Sequence, residues 1–293
     1  MRLVRDTVRN IDRFLFEPID ARVYAAVRIT YAVICLATVI ELWPVRHVLF
    51  GGATIVRSAL PWYLPLRWVD SEAGITSLMV AVGICSVFAG IGFLTRASTV
   101  GLYLWAFSYS AVAYPAETGY DGLVRLAGFA LVVSPRARRW AVDGILFGPG
   151  PADVPRYGLR LLQWQLAIVY LVTVWLKVPD PYWRNGELMS YFMMSIFSHV
   201  ASPSWASWGR VSALLTWGTM LLESTIPFLL FSKRGRRLGF ACGIALHGGI
   251  AISSTIGMFS LCMTPYYAAF LQPEDFDALS RIGRRWFAFA SRA

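Results

Sequence analysis

Residues 211–231 read VSALLTWGTMLLESTIPFLLF, a run of 21 positions in which Glu223 is the one ionisable side chain. A helix of that length rises about 30 Å, the thickness of a bilayer's hydrocarbon core. Seven further runs repeat the pattern: Tyr24–Trp43, Ala73–Leu94, Thr99–Pro115, Gly122–Val133, Leu159–Val178, Leu238–Ser254 and Ile256–Leu271. The fourth is short and can start at Tyr120. Composition agrees, with 57% apolar and 15% charged residues and a mean hydropathy of +0.54. A soluble domain has about 45–50% and about 25%. The expectation is an all-α, polytopic membrane bundle of about eight transmembrane helices.

Charge sets the span count and the orientation. Of 27 basic residues, 25 are arginine, and Lys177 and Lys233 are the two lysines. With eight spans and the N-terminus inside, the inner segments hold 18 basic residues and the outer ones five: Arg46, Arg57, Arg67, Arg184 and Arg210. Merging the last two runs would put the basic tail outside, against the positive-inside rule. Both termini are therefore expected in the cytoplasm, with a basic segment 1–22, a membrane domain 23–272 and a basic tail 273–293. The arginines fill gaps between apolar runs, so nucleic acid is not an expected partner, whereas membrane lipids are. Cys35, Cys85, Cys242 and Cys262 all sit inside apolar runs without a CxxC pair and read as small hydrophobes. The polar, arginine-rich start lacks the apolar stretch of a cleavable signal peptide.

Two long outer segments follow, Pro44–Ser71 and Pro179–Arg210, both rich in tryptophan and proline. Within the second, Gly186–Val200 reads as an interfacial or re-entrant helix, or as a lid over the helix ends.

Ionisable groups at membrane depth cost a few kcal/mol each and mark function or a paired structural role. The candidates are Arg28, Asp121, Arg125, Lys177, Glu223 and His247. Lys177 closes the fifth run in a chain that otherwise prefers arginine; a desolvated ammonium can give up its proton and act as a base, whereas guanidinium stays charged. The alternative is a lysine whose ammonium reaches the interface from a helix end. His247 can relay a proton or bond a neighbouring helix. His47 and His199 fall in outer segments, so no metal site is expected. Glu223 needs a proton or a cation, and Arg28 is one conceivable partner. Asp121 and Arg125 stand four apart, the spacing of a helical salt bridge.

Several of these residues also fall in a family's order. Tyr170, the apolar stretch to Lys177, then Trp183 and Gly186, followed by His247 and Ile256-Gly257-Met258-Phe259, resemble the membrane core of the vitamin K-dependent gamma-carboxylase-like proteins, the HTTM domain. Arg28 after a lead containing Pro18, Asp121, and the segment from Pro135 to Asp143 are similar to the same pattern, which covers about residues 10–272. The likeness is to a short bacterial-type member in the cell membrane, without the carboxylases' extramembrane region. It implies a quinone or reduced vitamin K-like lipid as cofactor, Lys177 as the base that deprotonates the quinol, and His247 in the same site. Tyr170, Trp183, Gly257 and Phe259 would line it, with Arg28, Asp121, Arg125 and Glu223 in support. In the carboxylases the resulting oxygen chemistry drives carboxylation of glutamate, and a second lysine stands where this chain has Leu176. The functional expectation is a quinone-using membrane enzyme. The alternative is a non-enzymatic accessory or immunity-type membrane protein for a secreted peptide or partner membrane protein, with the outer segments carrying the function.

Overall fold

The computed structural model of the protein describes residues 2–51, 60–112 and 119–290. Part of the outer segment Pro44–Ser71 (52–59, with Arg57), the end of the third run (113–115) and Arg292 lie outside the described residues. Among the described residues the regular secondary structure is helical apart from two three-residue strands and one isolated bridge.

Among the described residues, four helices are long and apolar enough to cross a membrane: Ala21–Phe50, which includes a short 3-10 turn, Glu72–Ile91, Tyr157–Lys177 and Gly209–Phe231. Their side-chain pattern is that of a helix in lipid. On Gly209–Phe231 the exposed stripe is Leu214, Trp217, Leu221 and Phe228, while Ser212, Thr216 and Glu223 are buried. On Glu72–Ile91 the exposed stripe is Val80, Ile84, Val87 and Ile91; on Tyr157–Lys177 it is Leu161, Trp164, Ile168 and Trp175. Steps of three and four residues put each stripe on one face, and these faces are apolar. Water would reverse that arrangement, burying apolar groups and exposing polar ones.

The remaining runs also form helices, with shifted ends. Thr95–Val112 and Arg236–Ser253 each have 18 residues. Gly119–Val133 begins one residue before Tyr120 and has 15 residues, about 22 Å of rise. The run Ile256–Leu271 is divided between Gly257–Cys262 and Thr264–Ala268. Arg236–Ser253 ends where Ser254 turns extended (φ −136°, ψ 152°). The freed backbone is taken up by the segment Pro179–Arg210: Ser254 forms an antiparallel bridge with Ser198. His199 N–H donates to Ser253 O at 3.0 Å, and Thr255 N–H to Phe197 O at 2.8 Å.

The chain separates into two compact units. The first comprises Met1–Glu117, Val124–Leu161 and Leu271–Ala293. Here Ala21–Leu42, Glu72–Ile91 and Thr95–Val112 pack in succession. Pro18–Asp20 pairs antiparallel with Asp153–Pro155, burying Ile19 opposite Val154. Arg28 donates from Nη1 to Ala89 O at 2.6 Å and Gly90 O at 3.0 Å, and from Nη2 to Trp140 O at 2.7 Å. It thereby satisfies carbonyls that the end of the Glu72–Ile91 helix leaves open. Asp143 does the complementary work at the next helix start, accepting from Leu94 N–H at 2.8 Å and Thr95 N–H at 2.9 Å. Burial pushes the Asp143 carboxyl up, but the N–H groups of Thr95 and Leu94 and the nearby Arg138 charge hold it below its ordinary 3.8.

The second unit comprises Thr118–Leu123 and Leu162–Phe270. Gly209–Phe231 and Arg236–Ser253 form its central hairpin. The outer segment is pinned to it at Gly186, where the backbone adopts φ +76°, and a Cβ would lie 2.7 Å from Ala213 Cβ. Gly186 O accepts from Ser212 Oγ at 2.9 Å, and Trp217 Nε1 donates to Trp183 O at 3.2 Å. The stretch read as one interfacial helix over Gly186–Val200 is helical only at Leu188–Met194.

Candidate functional site

Tyr170 and Lys177 are seven residues apart on the helix Tyr157–Lys177, so two turns place them on one face. Each meets polar partners on the later helices of the same unit.

Lys177 Nζ donates to both carboxylate oxygens of Glu223, at 2.6 Å and 2.5 Å. The two side chains keep 18% and 11% of their exposure, so the pair is largely withdrawn from solvent. Trp183, just beyond the helix end, sets its ring 4.3 Å from Nζ and adds a cation–π contact. The helix ends here because Asp180 caps the following turn, accepting from Tyr182 N–H and Trp183 N–H. That capped turn is what carries Trp183 back over the lysine. Glu223 therefore finds its cation in Lys177. Arg28, weighed as its partner from the sequence, is spent on backbone carbonyls in the first unit.

The second cluster lies around Tyr170, which is 2% exposed. Its hydroxyl is 2.6 Å from His247 Nε2 and 2.7 Å from Tyr267 Oη. One hydroxyl between an imidazole and a second hydroxyl makes a short chain along which a proton can pass. In either tautomer His247 Nδ1 is left open: it is buried and has no partner among the described residues. Phe259 stands over the imidazole with ring centres 5.7 Å apart, and Tyr267 approaches edge-on at 5.8 Å. A Cβ added at Gly248, Gly249 or Gly257 would meet no atom within 4 Å; Gly249 is exposed, and Gly248 and Gly257 are half-buried.

The structure thus gathers Lys177, Glu223 and Trp183 into one group and Tyr170, His247 and Phe259 into another. Asp121 is buried in the same unit at the start of Gly119–Val133. Arg125, one turn on, belongs to the first unit, with its guanidinium 5.9 Å from the Phe107 ring centre.

Two residues of the site escape the sequence reading. Tyr267 sits in a run read only as a membrane span; its signal is the Pro265-Tyr266-Tyr267 cluster, since a phenol at membrane depth needs a partner. Gly243 precedes His247 by one helical turn, and a Cβ there would fall 2.3 Å from Tyr267 Oη. The missing side chain is what lets Tyr267 reach Tyr170.

Comparison with known proteins gives one family. The model of the HTTM domain matches residues 16–274, most of the chain. No solved structure matches it. With that match, and with helices whose apolar faces point outward, the chain belongs to the HTTM domain family of helical membrane proteins.

Proposed function

We propose that the protein is a quinone-using enzyme of the cell membrane, with both termini cytoplasmic and the Lys177–Glu223 pair acting as its base. The observation that carries this reading is the pair itself. A lysine and a glutamate in a dry site have two forms without net charge, ammonium–carboxylate and amine–carboxylic acid. In the second form Lys177 presents a neutral amine. That amine would accept a hydroxyl proton from a bound quinol, and the ammonium so formed would stand beside the oxygen that gave it. Two turns along the same helix face, Tyr170 forms a hydroxyl chain with His247 and Tyr267 that would carry a proton within the site. A quinone-type lipid would bring the redox chemistry. The unpartnered Nδ1 of His247 supports a hydrogen bond to such a lipid once the imidazole turns toward it, and the neighbouring Phe259 ring suits a flat ring.

The test is consumption of a reduced naphthoquinol and oxygen by purified protein, followed by chromatography. Lys177→Arg keeps the charge but cannot supply a neutral amine, and it should abolish turnover while the protein stays folded. Equal consumption by wild type and variant, or none by either, overturns the enzyme reading.

A second reading rests on a different observation. Ile196, Phe197 and Val200 are exposed on the outer segment, which the bridge to Ser254 holds in place. An accessory or immunity-type protein would use such a surface to hold a secreted peptide or partner membrane protein. Crosslinking from position 196 would then capture a partner, and Lys177→Arg would leave that capture unchanged.

A further inference from the structure

The first unit contains a cavity of about 290 Å³ beneath the turn between Glu72–Ile91 and Thr95–Val112. None of its lining belongs to the lysine–histidine site. Arg28, Arg96, Arg136 and Arg138 line it, against a single acid, Asp143. Asp143 already spends its two oxygens on Leu94 N–H and Thr95 N–H. Three of the arginines are partly engaged: Arg28 on three carbonyls, Arg96 on Ser134 O and Arg138 on Phe147 O. Arg136 is exposed and makes no hydrogen bond or ion pair among the described residues.

Arg28 adds a fixed charge to the wall. It is 3% exposed and donates only to backbone carbonyl oxygens, so among the described residues no carboxylate is paired with it. A buried cation without a paired anion is costly, and an anion in the adjoining cavity offsets that cost. The rest of the wall is apolar, including Ala97, Leu131 and Phe147. A donor set of guanidinium groups fits a phosphate oxygen, and an apolar wall beside it fits the carbon skeleton that an ester carries. Basic pockets between membrane helices hold acidic lipid headgroups by this combination.

We propose that this cavity binds a phosphate ester, the headgroup of an acidic phospholipid, with Arg136 as its principal donor and Arg28, Arg96 and Arg138 lending positive charge from the wall. The site is independent of the proposed quinone chemistry, so either can fail alone.

The experiment uses the full-length protein in detergent, titrated with phosphatidylglycerol or phosphatidylcholine and read by native mass spectrometry. A parallel arm measures protection from thermal unfolding by inorganic phosphate. Wild type should retain phosphatidylglycerol over phosphatidylcholine. Arg136→Glu should weaken that retention about tenfold, because reversing one cation near a headgroup changes the charge by two. Arg136→Lys should keep most of it, and Lys233→Glu, the same charge change outside the cavity, should leave it intact. Arg136 supports no other group, so both variants should unfold at the wild-type temperature without lipid. If phosphate alone protects wild type but not Arg136→Glu, and the lipid does not compete, the phosphate chemistry stands and its source is the free ion. Equal lipid retention by Arg136→Glu and wild type, without such phosphate protection, overturns the proposal. So does an equal loss in Lys233→Glu.

Discussion

Removing either member of the Lys177–Glu223 pair should cost far more than removing both. Both oxygens of Glu223 sit within 2.6 Å of Nζ. Deleting one partner of a buried pair leaves the other charge stranded, at about 3–5 kcal/mol. The remaining exposure of 18% and 11% lets water reduce that to roughly 2–3 kcal/mol. For a chain of this size the loss is a drop of about 4–10 °C in unfolding temperature. Lys177→Met and Glu223→Leu should each show it. The double variant should lose only about 1 kcal/mol, so the two single losses added exceed it by a coupling of about 3–5 kcal/mol. A thiol-reactive dye reads the transition, since Cys35 and Cys262 are buried thiols outside any disulfide among the described residues. A double variant whose loss equals the two single losses added, with coupling under about 0.5 kcal/mol, would refute the pairing.

Two other perturbations separate the parts of the structure. Gly243→Ala puts a methyl 2.3 Å from Tyr267 Oη; the ring must move off Tyr170, costing roughly 2–4 kcal/mol of overpacking and lost hydrogen bonding, and Tyr267→Phe alone should show only the polar share of that loss in thermal unfolding. Asp143→Ala removes a helix cap in the first unit and should cost about 1–2 kcal/mol, leaving any quinol turnover per folded molecule unchanged. Because the folded Asp143 carboxyl titrates below 3.8, its contribution is complete above that value and is lost as pH falls through the lower, folded one. Wild type and Asp143→Ala should therefore converge in unfolding temperature on the acid side of 3.8, and a gap that persists there would contradict the cap.

Much of the architecture is legible from hydropathy, because a helix in lipid must satisfy its own backbone and shows itself as a long apolar run. Helix ends are less so: Thr95–Val112 begins four residues before the run suggests, since Asp143, 48 residues away, provides the N-terminal cap. The strands Pro18–Asp20 and Asp153–Pro155 are too short for any alternation to register. The break at Ser254 depends on Ser198, and no local signal announces that pairing. Ionisable groups stand out singly for the same reason that spans do, so Lys177, Glu223 and His247 are all visible in the sequence. Which of them meet is another matter. Lys177 and Glu223 are 46 positions apart, and apolar periodicity fixes neither the rotation nor the neighbour of a helix. Tyr170 draws notice only through the family resemblance, and Tyr267 not at all, because a phenol in an aromatic-rich span looks like packing until its hydroxyl is seen at 2.7 Å from another.

The most direct test of the proposed chemistry is mass spectrometry of small molecules that remain on the detergent-purified protein, compared between wild type and His247→Ala. A quinone-type lipid held by wild type and lost from the folded variant is the predicted result. Wild-type protein that carries no such lipid, or a variant that carries as much, would contradict the assignment of this site to quinone chemistry.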